Sequence, residues 1–162
     1  MIIRRATPAD AVQIADFWNP QIRNTVVTFS SLEKSGDDVA DMIVERQGLG
    51  YEFLVAEIMG EILGFVTYSQ FRAGNGYRHT MEHTIILAPT AWGRGVGRTL
   101  MLAIEDHART ISAHSMIAGV SGENLAGVRF HAALGYEEML VLPQVGYKFD
   151  RWFDLVLMQK TL

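Results

Sequence analysis

Thr84-Ile85-Ile86-Leu87, then Ala88-Pro89-Thr90-Ala91-Trp92, then Gly93-Arg94-Gly95-Val96-Gly97-Arg98 read in order as a strand, a break and a glycine-rich turn. Leu100, Ala103, Ile104 and His107 follow at helical spacing, which predicts a helix from about Gly95 to Ala108. A strand that runs through glycines into a helix makes an anion site. Backbone N–H groups point outward, the helix N-terminus is partly positive, and the missing side chains admit phosphate oxygens. Two phosphate-binding patterns fit poorly. A P-loop needs a lysine where Gly97-Arg98-Thr99 has none, and a glycine where Trp92 stands. A dinucleotide turn needs Gly-x-Gly-x-x-Gly after the first strand of a parallel series, whereas the spacing here is Gly-x-Gly-x-Gly, in mid-chain. A bare glycine-rich connection and the pyrophosphate of coenzyme A remain.

Working outward from the turn, Met1 to Ala6 reads as a strand. Thr7, Pro8 and Asp10 open a helix expected to end near Trp18, with Ala11, Ile14, Ala15 and Trp18 inward. The polar segment Thr28 to Ser31 leads to a second helix with Val39, Met42 and Ile43 inward and Gly48 to Gly50 as its stop. Phe53 to Met59 and Ile62 to Phe71 form a hairpin about Gly60-Glu61. Arg72 to Arg78 is a loop, and Thr80 to Leu87 resumes the sheet. Ser115 to Val120 is a buried strand, Asn124 to Leu134 a short helix stopped by Gly135, and Glu138 to Leu142 and Lys148 to Gln159 two last strands. The result is one α/β domain over residues 1–162, of α+β type. A mixed, mostly antiparallel sheet of about seven strands is flanked by about four helices, with a right-handed crossover through the third helix joining two parallel strands.

At this point the chain resembles the GNAT superfamily of N-acetyltransferases, whose signature, Gln/Arg-x-x-Gly-x-Gly/Ala, follows its fourth strand. Gly95 and Gly97 match, and Trp92 takes the place of Gln or Arg. Asn124 to His131, followed by Leu134-Gly135-Tyr136, resembles the second motif, an asparagine that opens a helix ending in Gly-Phe or Gly-Tyr. Met81-Glu82-His83-Thr84 and the tail Leu142-Pro143-Gln144-Val145-Gly146-Tyr147-Lys148-Phe149-Asp150-Arg151-Trp152-Phe153-Asp154-Leu155 narrow the resemblance. They look like the phosphinothricin and methionine sulfoximine/sulfone N-acetyltransferases. The similarity covers essentially the whole chain, and the expected fold is the GNAT fold.

The resemblance implies an acetyl-CoA-dependent acetylation of the α-amine of a small amino acid analogue, with acetyl-CoA as co-substrate and no metal. Ile85, Ile86 and Leu87 would offer strand backbone to acetyl-CoA, Gly93, Arg94, Gly95, Val96, Gly97 and Arg98 would hold its pyrophosphate, and Asn124 would contact it again. Glu82 would touch substrate and act as the base, Arg72-Ala73-Gly74 would line the substrate pocket, and His131 would stand where the superfamily usually has a tyrosine that protonates the leaving thiolate. A homodimer is also implied. Each residue keeps a plainer reading: Asn124 as a helix cap, His131 as a helix residue packed on the sheet, Glu82 as a solvated charge. Histidine donates protons near neutral pH, so the change from tyrosine preserves the chemistry.

Composition narrows the field independently. A net charge of −4 without a basic run argues against a nucleic-acid module. The apolar stretches fall short of the roughly 18 residues that span a bilayer, and Met1-Ile2-Ile3-Arg4-Arg5 lacks a signal-peptide core, so a cytoplasmic location is expected. With no cysteine in the chain there is no thiolate to carry an acetyl group, and transfer is expected to be direct. An acyl-CoA-binding regulator without turnover, or an acetyltransferase for peptide N-termini, would share these features.

Overall fold

The computed structural model describes residues 1–162. Seven strands form one sheet: β1 (Ile2–Arg5), β2 (Phe53–Ile58), β3 (Glu61–Gln70), β4 (Thr80–Leu87), β5 (Ser115–Ser121), β6 (Glu137–Lys148) and β7 (Arg151–Thr161), in spatial order β1-β2-β3-β4-β5-β7-β6. Every neighbouring pair is antiparallel except β4 and β5, which are joined through a helix as the crossover rule requires. Helices α1 (Ala11–Asn24) and α2 (Gly36–Gly48) cover one face, and α3 (Val96–Thr110) and α4 (Leu125–Ala132) the other. No helix is long and apolar enough to cross a membrane.

Strand alternation divides the core in two. Phe53, Val55, Phe65 and Ile86 pack with Ile14, Trp18, Ile22, Val39 and Ile43 beneath α1 and α2. Val66, Tyr68, Met81, Met116 and Ala118 pack with Leu100, Met101 and Ile104 beneath α3. Since Met81 faces α3 and Ile86 faces α1, Glu82 and Thr84 lie on the α1 side of β4 and His83 on the α3 side.

Three expectations need correction. The first helix does not end near Trp18: it runs to Asn24 with Pro20 inside it. Proline removes one helical hydrogen bond. Burial of Gln21 and Ile22 outweighs that loss, and Gln21 Nε2 donates to the carbonyls of both Phe17 (3.0 Å) and Leu87 (2.9 Å), tying α1 to the end of β4. The segment between Leu142 and Lys148 is not a gap between strands. It belongs to β6, which is irregular between Leu142 and Gly146 while remaining paired with β7. The first hairpin turns about Met59 and Gly60, both at positive φ, one residue earlier than expected.

One buried polar cluster fixes α3 to the C-terminal strands. The fully buried Glu105 accepts from Tyr136 Oη at 3.1 Å and from Lys160 Nζ at 2.6 Å. Removing the carboxylate leaves the ammonium in a poorly solvated site, so Glu105→Ala should destabilise the fold by about 3–5 kcal/mol. Urea unfolding checks this, and a change under about 1 kcal/mol would show the cluster to be solvated.

Candidate active site

Strands β4 and β5 pair only at Thr80–Ser115, Met81–Met116 and Glu82–Ile117, and then part. Between the diverging ends lies a cavity of about 220 Å³, walled by Glu82 to Ile86 of β4, Gly119 to Ser121 of β5, Asn124, His131, Leu155, Trp18 and the segment Val27-Thr28-Phe29. Two grooves extend it. The first, with Gln21, Ile85 to Leu87, Trp92, Gly93, Asn124 and Phe130, shares Val27, Ile85, Ile86, Asn124 and His131 with the cavity. The second shares Leu87, Gly93 and Phe130 with the first and ends at Gly95, Val96, Gly97 and Arg98. A continuous trough therefore runs from Glu82 to the glycine turn.

The Glu82 side chain is half-buried, and its carboxylate has no ion-pair or hydrogen-bond partner within the chain. Loss of solvation raises its carboxyl above the ordinary pKa, as expected for a charge in a partly apolar site. Gly119, facing it across the parting strands, leaves its room: a Cβ there would lie 3.1 Å from Glu82 Oε1. A glycine inside a strand is the sequence signal for such a close approach.

His131 lies one helical turn beyond Gly127, and its Nδ1 sits 2.7 Å from the Gly127 carbonyl, which only an N–H can face. The neutral ring is thus the Nδ1–H tautomer, and Nε2 is buried without a partner. Burial lowers the pKa of His131, against the opposing effects of the Gly127 bond and Glu105. His83 stacks on it with centroids 5.0 Å apart. Burial, and then the neighbouring His131, push His83 down to about 3, so it stays neutral at working pH.

At the other end, Gly93 and Gly95 adopt φ of 72° and 78°, the left-handed region that strains any other residue. Their conformation turns the chain into α3, whose first amides, at Val96, Gly97 and Arg98, find no acceptor in the chain. These are the donors an anion needs. Asn124 does cap α4, its Oδ1 accepting from Gly127 N–H at 2.9 Å, and it also lines the cavity and the first groove, so the plain and the functional readings coexist. Trp92 is exposed and borders the first groove.

Not every expected residue joins this site. Arg72, Ala73 and Gly74 lie on an exposed loop outside the cavity wall, held by Gln70 Nε2 to the carbonyls of Arg72 (2.5 Å) and Gly74 (2.7 Å). Tyr77, on the same loop, lies beneath the Arg72 guanidinium, 5.4 Å away, and Phe29 forms part of the cavity wall. Sequence reasoning missed Gly119 and the second role of Trp18, which appears in the sequence only as part of a buried stripe.

Residues 19–136 match the acetyltransferase (GNAT) family. The chain is 36% identical over 162 residues to an L-methionine sulfoximine/L-methionine sulfone acetyltransferase of Salmonella typhimurium, spanning 100% of this chain and 95% of that protein. Among solved structures, a ribosomal-protein-alanine N-acetyltransferase from Brucella melitensis superimposes with a TM-score of 0.96 at 36% identity, covering 100% of both chains. A phosphinothricin acetyltransferase from Sinorhizobium meliloti, in complex with acetyl-CoA, gives 0.93 at 30% identity, covering 99% of this chain and 88% of that one. With seven strands and four helices in the expected order, a trough that joins an unpaired carboxylate to a glycine turn, and relatives that match along its whole length, the chain belongs to the acetyltransferase (GNAT) family.

Proposed function

We propose that the protein transfers the acetyl group of acetyl-CoA directly to the α-amine of a small amino acid analogue with oxygens on tetrahedral sulfur or phosphorus, such as methionine sulfoximine, methionine sulfone or phosphinothricin. One observation carries the reading: Glu82 stands unpaired and poorly solvated at the head of a trough whose far end is a row of free amides. Two of the relatives, those of Salmonella typhimurium and Sinorhizobium meliloti, are named for that substrate class.

Acetyl transfer to an amine requires a free nitrogen lone pair, a donor for the charge that grows on the carbonyl oxygen, and a proton for the departing sulfur. Glu82 takes the ammonium proton, directly or through water, and its raised pKa makes it a better base than an ordinary carboxylate. The backbone of Ile85 to Leu87, left by β5, supplies the polarising N–H, and the turn Gly93 to Arg98 binds the pyrophosphate through the free amides of Val96, Gly97 and Arg98. His131 delivers a proton from Nε2. Its lowered pKa makes the imidazolium a stronger acid but a scarcer one. His131→Ala should therefore lower kcat by about tenfold to a hundredfold, at or below the low end for proton-transfer groups, while the KM for acetyl-CoA changes by less than about twofold. Steady-state kinetics checks this, and an unchanged kcat with a lower melting temperature would return His131 to a packing role.

The cavity wall contains no lysine or arginine. The counter-charge for a substrate carboxylate has to come from beyond it, and Arg72, with Ala73 and Gly74, is the proposed source. The Arg72 loop leaves β3 just past Gln70, which pairs with Met81 next to Glu82. A homodimer is part of the same proposal. Edge strand β6, its turn and the start of β7 expose Leu140, Val141, Val145, Tyr147, Phe149 and Trp152, the apolar surface that a second copy would cover. A cytoplasmic location accords with the co-substrate.

Thiol release measured with acetyl-CoA and a panel of free amino acids, their sulfone, sulfoximine and phosphinate analogues, and short peptides tests the reading. Turnover confined to the analogues supports it. Turnover confined to peptides would favour the alternative suggested by the Brucella melitensis protein, and binding without thiol release would mark a regulator.

A further inference from the structure

The tail from Leu142 to Leu155, the stretch most specific to the family, contributes only Leu155 to the cavity wall. Yet it buries a cation. Lys148 is only 4% exposed and has no carboxylate partner; its Nζ donates instead to the backbone carbonyls of Thr25 at 2.7 Å and Thr28 at 2.8 Å. Ammonium groups are rarely buried unless bonded in this way. Both acceptors belong to the irregular segment between α1 and α2, whose Val27, Thr28 and Phe29 form one wall of the cavity.

The same hairpin seats that wall a second time. Gly146, two residues before Lys148, pairs across strands with Phe153. The Phe29 ring rests where a Gly146 Cβ would collide with it and stacks on Phe153 with centroids 5.8 Å apart. At its near end Thr25 Oγ1 donates to the Gln21 carbonyl at 2.7 Å, which fixes the start of the segment to α1. Beyond that point, charge-assisted bonds and an aromatic seat, both supplied from over a hundred residues downstream, hold the wall.

We propose that Lys148 is a positioning residue for the amino acid substrate: through the carbonyls of Thr25 and Thr28 it holds Val27-Thr28-Phe29 in place opposite Glu82. This rests on the acetyltransferase reading above. It gives a role to a glycine and a lysine two apart in a hairpin that contributes neither to the cavity wall. The lysine donates to carbonyls that a loop cannot pair by itself, and the glycine admits the ring.

Hydrogen exchange and steady-state kinetics on the full chain test it together, with Lys148→Met, Lys148→Arg and Gly146→Ala. Without any substrate, the amides of residues 25–29 should exchange about tenfold faster or more in Lys148→Met, with α2 and α3 unchanged. The KM for the amino acid should rise about tenfold while that for acetyl-CoA stays within about twofold, and Lys148→Arg should recover most of the loss. Gly146→Ala, which keeps the ammonium and dislodges Phe29, should raise the same KM and serves if Lys148→Met does not fold. Wild-type exchange at residues 25–29, or equal damage to both KM values with no rescue by arginine, would overturn the proposal. If the wild-type protein acetylates no amine, the function is misread, and the exchange arm still decides whether Lys148 holds the wall.

Discussion

Glu82→Gln should lower kcat/KM for the amine by about a thousandfold at neutral pH, within the range for loss of a positioned base. Its pH dependence is the sharper result. Burial raises the Glu82 pKa, so the wild-type rate should climb through an acidic limb lying above the ordinary carboxylate range, and the glutamine variant should lose that limb. Stability moves the opposite way. A carboxyl whose pKa is raised by folding favours the fold while it is protonated, below its unfolded pKa, and that contribution is lost as pH rises through the folded value. At neutral pH the variant should melt at the same temperature as the wild type or higher. A large fall in melting temperature with an unchanged acidic limb would show Glu82 to be structural.

Gly95→Val should weaken acetyl-CoA binding by about 10²–10³-fold. At φ 78° a β-branched residue is strongly disfavoured, so the turn has to leave the left-handed region, and the amides that open α3 then lose their common direction. Losing one or two hydrogen bonds to a charged phosphate, at about 1.5–3 kcal/mol each, gives that factor. Calorimetric titration with acetyl-CoA measures it, and circular dichroism should show α3 retained. Affinity within about threefold of wild type would mean that the pyrophosphate lies elsewhere.

The outline of the fold could be read along the chain because its signals are local. Thr80 to Leu87 has the bounds expected of it, and Gly135, at φ 89°, follows the short helix as a left-handed stop should. The errors fell where distant contacts decide. Nothing near Pro20 in sequence shows that Gln21 will bond the end of β4, and that contact, with the burial of Ile22, carries α1 past the proline. Likewise the Pro143-Gln144 stretch looks like a break until β7 lies beside it.

For the site, the sequence by itself determined the chemical parts: a glycine turn able to adopt positive φ, an asparagine that caps a helix, a carboxylate in mid-strand and a histidine in the last turn of the capped helix. Each follows from backbone preference or side-chain chemistry within a few residues. Only the tertiary structure decided that these parts share one trough, because the trough exists where β4 and β5 stop pairing beyond Glu82 and Ile117. It also decided that Glu82 is poorly solvated, that Gly119 makes its space, that Arg72 to Gly74 stand outside the wall, and that Lys148 grips a loop from the opposite end of the chain. Solvation, close approach and long-range hydrogen bonds depend on which residues meet in space, and spacing along a single chain does not encode that directly.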